Sequence, residues 1–65
     1  MSLDKLGKTF KKAREELKLT QKEVALKAQI HFNHLYRIEN GKAKPTTAVA
    51  ERIAKALKIK ISLPS

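Results

Sequence analysis

Apolar residues recur at steps of three and four in four successive stretches of the chain, which is the pattern of amphipathic helices. The pattern predicts a first helix over residues 3–17 and a short second helix over about 21–28. A third helix is predicted over 32–39 and a fourth over 47–57. The predicted inward positions are Leu3, Leu6, Phe10, Ala13, Leu17, Val24, Ala25, Ala28, Leu35, Ile38, Ala50, Ile53, Ala54 and Leu57.

Capping residues mark the ends of three of these helices. The segment TQKE has the form of a capping box, in which Thr20 accepts from the N–H of Glu23 and the Glu23 side chain reaches back to the N–H of Thr20. Thr46 is placed to cap the fourth helix. Asn40 and Gly41 end the third helix, because both residues tolerate the left-handed backbone conformation.

The end of the chain changes to a period of two. Ile59, Ile61 and Leu63 alternate with polar residues until Pro64, which is the pattern of a β-strand. No other segment of the sequence has this pattern, so the strand needs a partner from outside the chain. We expect two copies to pair their tails as an antiparallel ribbon and to bury these three apolar side chains against the fourth helices. A frayed tail is the alternative.

The length of 65 residues allows one small domain with a limited core. We expect residues 1–58 to form this domain and residues 59–65 to form the strand or tail. The sequence contains no cysteine, so no disulfide stabilises it. His31 and His34 lack a nearby third ligand other than Glu39, so we expect neither a metal nor another cofactor. No membrane-length apolar run or signal-peptide pattern is present, which favours a cytoplasmic protein with no membrane partner.

The charge of the chain is strongly positive and unevenly distributed. Fifteen Lys and Arg residues against six Asp and Glu residues give a formal net charge of +9. Residues 1–14 carry five basic residues against one acidic residue, and residues 42–65 carry six against one, whereas residues 15–41 are balanced. This balance favours a polyanionic partner, with nucleic acid first and an anionic membrane surface second. A surface that only keeps the protein in solution is the alternative.

Two short helices joined by a tight turn, with a capping box before the first, suggest a helix-turn-helix. The segments TQKEVA from Thr20 and RIENGK from Arg37, together with Ile30 and the segment IAKAL from Ile53, resemble the lambda-repressor-like (Xre-type) helix-turn-helix family. The resemblance covers roughly residues 3–59. It implies an all-α fold with four helices, to which the tail pattern adds a short C-terminal β-strand for dimerisation.

The resemblance implies that the third helix enters the major groove of double-stranded DNA with its N-terminal end first. Asn33 would pair with adenine, Arg37 with guanine, and Phe32 would pack on a thymine methyl group. Contacts to phosphates would set the register of the protein on the duplex. The predicted base-reading residues are His31, Phe32, Asn33, Tyr36 and Arg37, and the predicted phosphate contacts are Gln21, Asn40, Lys42 and Lys44.

Several of these residues have a second interpretation. Phe32 would instead fold back onto the core, and Tyr36 would instead lie beside the groove without reading it. His31 would cap the third helix or contact a phosphate. We expect the lysines of the first helix to form a solvated face far from the DNA.

The sequence departs from the family pattern at four positions. Lys18, Gln29 and Lys58 occupy positions where relatives often have glycine after a helix. If these residues must adopt a positive φ, each costs about 1 kcal/mol. Leu26 replaces a polar residue on the outer face of the second helix. It is either a single exposed leucine or part of a partner surface.

The family resemblance also implies an ion pair between Arg14 in the first helix and Glu39 at the end of the third, because relatives place these positions in contact. The alternative is two independent surface charges. If the pair is partly buried, removing one partner leaves an unpaired charge at a cost of about 3–5 kcal/mol.

These features predict sequence-specific binding to double-stranded DNA by a homodimeric transcriptional repressor that reads a palindromic operator. A helix-turn-helix with an intersubunit strand resembles both the HipB-type antitoxins and the small Cro-type phage repressors. The alternative function is an antitoxin that binds a toxin protein and regulates its own operon. Non-specific binding to nucleic acid is a third interpretation. The sequence contains no catalytic constellation and no glycine-rich phosphate loop, so we do not expect an enzyme.

Overall fold

Four helices form the fold in the computed structural model, which describes residues 5–62. The helices are α1 (Leu6–Glu16), α2 (Gln21–Ala28), α3 (Phe32–Glu39) and α4 (Thr47–Leu57). The prediction of an all-α fold with four helices is confirmed. Both α1 and α2 contact α3 and α4, so α3 is held from two sides. Leu3, a predicted inward residue, lies outside the described residues.

One hydrophobic core lies between the four helices. Leu6 and Phe10 from α1, Leu35 from α3 and Ile53 from α4 have no exposed surface. Leu17 differs from the prediction, because α1 ends at Glu16 and leaves 48% of the Leu17 surface exposed. The other buried apolar residues are Val24, Ala25, Ala28, Ile38, Ala50, Ala54 and Leu57.

The predicted N-caps of α2 and α4 are present. Thr20 Oγ1 accepts from the N–H of Glu23 at 3.0 Å, and Glu23 Oε1 accepts from the N–H of Thr20 at 2.9 Å. Thr46 Oγ1 accepts from the N–H of Val49 at 3.1 Å. These bonds satisfy donors that the first turn of a helix leaves without an intrahelical acceptor.

Non-glycine residues in the left-handed conformation follow α1, α2 and α4. Lys18, Gln29 and Lys58 have φ values of 58°, 59° and 58°. A side chain at such a position costs about 1 kcal/mol or more relative to glycine. Contacts elsewhere in the fold must therefore hold these turns. Gly41, which follows α3, has a φ of 72°.

The N-terminal half of α1 crosses directly over the end of α3 at Gly7. A Cβ atom placed on Gly7 would lie 2.1 Å from the carbonyl oxygen of Ile38 and 3.0 Å from its carbonyl carbon. Because a real Cβ does not approach a backbone oxygen so closely, the crossing requires glycine at this position. The crossing places the first turns of α1 against the last turn of α3.

The predicted C-terminal strand is wrong for the described part of the tail. Residues 59–62 have no strand conformation. The physical reason is that a strand needs a neighbouring ladder, and residues 5–62 of this single chain offer no other extended segment. Ile59 and Ile61 are instead partly buried against the helical core. Leu63, the third apolar residue of the predicted strand, lies outside the described residues.

Candidate nucleic-acid interface

A tight turn joins α2 to α3. The N–H of Ile30 donates to the carbonyl of Ala25 at 3.0 Å, and the N–H of Gln29 donates to the carbonyl of Leu26 at 3.2 Å. Ala25 is 2% exposed, and Ile30 packs, partly buried, against the core. The small Ala25 side chain and the Ile30 side chain therefore lie at the junction of the two helices, facing the core.

The two sides of α3 have different surroundings. Leu35, Ile38 and Glu39 are buried and attach the helix to the rest of the domain. The remaining surface of the helix is exposed to solvent and contains most of the predicted base-reading side chains. These exposed residues are Phe32, Asn33, Tyr36 and Arg37, and His31 is exposed immediately before them.

His31 caps the N-terminus of α3. Its Nδ1 atom accepts from the backbone N–H of Asn33 at 3.1 Å. This confirms the interpretation of His31 as a cap. Because Nδ1 acts as an acceptor, a neutral imidazole carries its proton on Nε2, which is then the donor available to a ligand.

Phe32 lies at the surface and does not fold back onto the core. Its exposed fraction is 42%, its ring stacks on the ring of His31 with centroids 4.9 Å apart, and Lys22 Nζ lies 5.4 Å from its centroid. A cation over an aromatic face is attracted by the ring quadrupole. The Lys22 ammonium is therefore held at the N-terminal end of α3, a contact that no sequence pattern indicates.

The C-terminal end of α3 has a similar arrangement. Lys42 Nζ lies 5.9 Å from the ring centroid of Tyr36, which is 42% exposed. The Asn40 amide donates to the carbonyl of Tyr36 at 2.8 Å. The next part of the α3–α4 loop contains the exposed Lys44 and the buried Pro45. The predicted phosphate-contacting residues Asn40, Lys42 and Lys44 thus come together beyond the end of α3.

The predicted pair of Arg14 and Glu39 is confirmed. Arg14 Nε lies 2.9 Å from Glu39 Oε2, and Arg14 Nη2 lies 3.0 Å from Oε1. The exposed fractions of the two side chains are 13% and 1%. Arg14 Nη1 also donates to the carbonyl of Leu19 at 2.9 Å, which fixes the connection between α1 and α2.

Gln21, a predicted phosphate contact, has an additional role. Its side-chain Nε2 donates to Glu39 Oε1 at 3.0 Å. An amide nitrogen has two hydrogens, so the second remains for another acceptor. Gln21 is also the first residue of α2, where backbone N–H groups lack intrahelical acceptors and favour an anion. The bond to Glu39 ties the start of α2 to the end of α3.

Arg52 of α4 is a residue that sequence reasoning missed. Its guanidinium donates to the carbonyl of Ala28 at 2.8 Å and to the carbonyl of Gln29. These carbonyls belong to the end of α2, where the last groups lack intrahelical donors. Arg52 therefore fastens the turn between α2 and α3 to α4. The 24 residues that separate Arg52 from Ala28 explain why no local pattern signals the contact.

Hydrogen bonds at the start of α2 shift the pKa of the Glu23 carboxylate. Hydrogen bonds from the backbone N–H and the hydroxyl of Thr20 lower the pKa of Glu23, and the charge of Lys27 lowers it further.

Among residues 5–62, no group of three His, Cys, Asp or Glu side chains is placed to hold a metal ion. No helix in this part of the chain is long and apolar enough to cross a membrane.

A family profile described as "Helix-turn-helix" matches residues 10–63, which include both helices of the motif, the turn and the α3–α4 loop. This chain belongs to the lambda-repressor-like (Xre-type) helix-turn-helix family. Membership of this family indicates a DNA-binding domain, with α2 and α3 as its helix-turn-helix.

Two curated proteins are similar to this helix-turn-helix domain. "Multiprotein-bridging factor 1" from Candida albicans is 38% identical over 56 residues, which cover 86% of this chain and 37% of that protein. "Vegetative-specific protein H7" from Dictyostelium discoideum is 38% identical over 52 residues, which cover 80% of this chain and 50% of that protein. The chain therefore spans half or less of the length of these relatives. No solved structure matches the chain significantly.

Proposed function

We propose that this helix-turn-helix domain binds double-stranded DNA sequence-specifically, with α3 in the major groove, and that it acts as a homodimeric transcriptional repressor. Base edges would be read by His31, Phe32, Asn33, Tyr36 and Arg37. Backbone phosphates would be bound by Gln21, Asn40, Lys42 and Lys44. This function requires no enzymatic activity.

One observation carries the proposal: α3 is fixed on one side and presents unused polar groups on the other. Leu35 and Ile38 are buried, whereas Asn33 and Arg37 are exposed and their side chains bond to no other residue among 5–62. An amide and a guanidinium on one helix match the adenine and guanine edges that the major groove presents. A helix that binds in the groove needs a fixed attachment to the rest of the domain. It also needs side-chain hydrogen-bond donors that no other protein group uses.

Positively charged groups at both ends of α3 support the same orientation. Lys22 lies beside Phe32 at the start of the helix, and Lys42 lies beside Tyr36 at its end. Each ring restricts the position of its ammonium, so less conformational entropy is lost when a phosphate binds. Contacts on both sides of the groove would hold the helix at a defined depth.

A homodimer is part of the proposal because the tail has apolar groups to bury. Ile59 and Ile61 are only partly covered by the core. They border an open groove along α4, together with Glu51 and Lys55. A second copy seated on this surface would form a two-fold interface and would present two recognition helices about 34 Å apart.

A binding selection on random duplex DNA at about 150 mM salt, near the ionic strength of the cell, tests this proposal. We expect an enriched palindrome whose half-site centres lie about 10 base pairs apart, since this is the spacing of one helical turn. An enriched site without two-fold symmetry would contradict the homodimer but would still support the placement of α3 in the major groove. The absence of any enriched site would contradict the proposed function.

The second candidate is an antitoxin or another module whose main task is to bind a protein. Leu26 favours it, because this leucine on the outer face of α2 is 79% exposed. The name of one relative, "Multiprotein-bridging factor 1", also agrees with a protein-binding role. Co-purification of a stoichiometric protein at high salt, lost in Leu26→Ser and retained in Leu17→Ser, would favour this function over repression alone.

A further inference from the structure

A cleft lies between the first turns of α1 and the end of α3. Lys5, Lys8 and Lys11 line it on one side, and Asn40 and Gly41 line it on the other. We call these three residues the cleft lysines. All three are exposed. The close crossing of the two helices at the start of α1 places the cleft lysines beside the α3–α4 loop.

The exposed surface of this cleft is positively charged. Glu39 is the acidic residue that lines it, but its side chain is 1% exposed and is paired with the Arg14 guanidinium. Arg14 therefore balances the buried carboxylate, and the cleft lysines remain without a neutralising partner among the residues that line the cleft. The α3–α4 loop adds the exposed Lys42 and Lys44 next to it.

We propose that the cleft lysines bind backbone phosphates of the DNA beside the segment that α3 reads. This inference rests on the proposed function and extends the contact surface onto α1. It replaces the expectation that the lysines of the first helix lie far from the DNA, because the cleft lysines lie beside Asn40 and Gly41. From Lys5 to Lys11 the helix rises about 9 Å. One DNA strand carries a phosphate about every 3.4 Å along the duplex axis, so the three lysines are spaced to meet at least two phosphates.

A local role of the same lysines makes a different prediction. Cations near the C-terminus of a helix interact favourably with its dipole, so the cleft lysines also stabilise the end of α3. That role changes the melting temperature of the free domain and leaves the salt dependence of DNA binding unaltered. The two roles therefore separate in a salt titration.

The test compares two triple variants on the DNA site selected by the unmodified protein. The first is Lys5→Gln, Lys8→Gln and Lys11→Gln. The control is Lys12→Gln, Lys27→Gln and Lys58→Gln, which removes the same charge from exposed positions that line neither this cleft nor the groove beside Ile59 and Ile61. Gln is compatible with the left-handed backbone at position 58, because Gln29 has nearly the same φ.

We expect the first variant to make the negative slope of log Kobs against log salt shallower by about 1.8, which corresponds to two lost phosphate contacts. The loss should be equal on the selected site and on random DNA, because phosphates carry no sequence information. The control should keep the slope of the unmodified protein. A matching Lys→Arg triple variant at positions 5, 8 and 11 should also keep it.

An unchanged slope in the first variant, measured where its melting curve shows a folded domain, would overturn the inference. An equal reduction in the control would overturn it as well, since the effect would then come from net charge alone. If the first variant does not fold, an unchanged slope in the single variant Lys8→Gln overturns the inference in the same way. Failure of the proposed function is distinguishable, because the unmodified protein would then prefer no site.

Discussion

Glu39, the last residue of α3, binds the Arg14 guanidinium at two points, with Nε 2.9 Å from Oε2 and Nη2 3.0 Å from Oε1. Gln21 at the start of α2 donates to the same carboxylate at 3.0 Å. One buried carboxylate thus joins α1, the start of α2 and the end of α3. The orientation of the recognition helix depends on this group as well as on the apolar core.

Replacing Glu39 should therefore destabilise the domain strongly. Glu39→Gln leaves the Arg14 guanidinium without its counter-charge at a site that is 13% exposed. We expect the free energy of unfolding to fall by about 3 kcal/mol, at the lower end of the range for breaking a buried ion pair. Glu15→Gln, at an exposed position of α1, is the control and should change it little. Urea denaturation measures both, and an unchanged midpoint for Glu39→Gln would contradict the prediction.

Gly7→Ala should destabilise the domain although alanine is the better helix former. Alanine normally stabilises the interior of a helix by about 1 kcal/mol relative to glycine. Here the added Cβ would lie 2.1 Å from the Ile38 carbonyl oxygen, so α1 must move away from α3. Thermal denaturation should show a lower melting temperature than that of the unmodified protein. A higher melting temperature would show that the helices do not cross this closely.

The stability of the domain should depend on pH through Glu23. Hydrogen bonds from Thr20 lower the pKa of Glu23 in the folded state, below its usual value of 4.5. A lowered folded-state pKa contributes stability that is present above the usual pKa and is lost as the pH falls through the folded value. Glu23→Gln keeps a capping-box acceptor without a titrating charge. The difference in melting temperature between the unmodified protein and Glu23→Gln should therefore shrink below pH 4.5. A difference that stays constant with pH would refute a contribution of the Glu23 carboxylate to the pH dependence.

Arg37 and Lys44 should have different roles in DNA binding. Arg37→Ala removes a predicted contact to a base edge, so it should cost about 1–3 kcal/mol on the selected site and relax the preference at one base pair. Lys44→Ala removes a predicted phosphate contact, so it should weaken binding to all sequences alike and lower the salt slope by about 1. Fluorescence titrations on selected and random duplexes measure both. Equal effects of the two variants on both DNAs would contradict the groove assignment.

Much of the helical framework follows from local sequence rules. The capping box at Thr20, the cap at Thr46 and the apolar spacing within each helix predict the element types directly. The left-handed residues Lys18, Gln29 and Lys58 follow from the family pattern, since they replace its glycines. These features depend on residues close together in the chain, which is why the sequence predicts them.

The contacts that the sequence does not predict join residues far apart in the chain. The bonds from Arg52 to the end of α2 and from Gln21 to Glu39 cross between helices, and no periodicity signals them. The tail illustrates a different limit. Alternation at Ile59 and Ile61 is compatible with a strand, but without a neighbouring strand in residues 5–62 the backbone takes an irregular path. Ile59 and Ile61 are instead partly buried against the helical core.

The central claim is that the exposed face of α3 reads base sequence. The most direct measurement is the ratio of dissociation constants for a selected duplex and for the same duplex with its bases permuted, at about 150 mM salt, near the ionic strength of the cell. We predict that the selected duplex binds at least about a thousandfold more tightly, as is typical of specific DNA-binding proteins. Equal affinity for the two duplexes would mean that the domain binds only the phosphate backbone. It would contradict the reading of base sequence by α3.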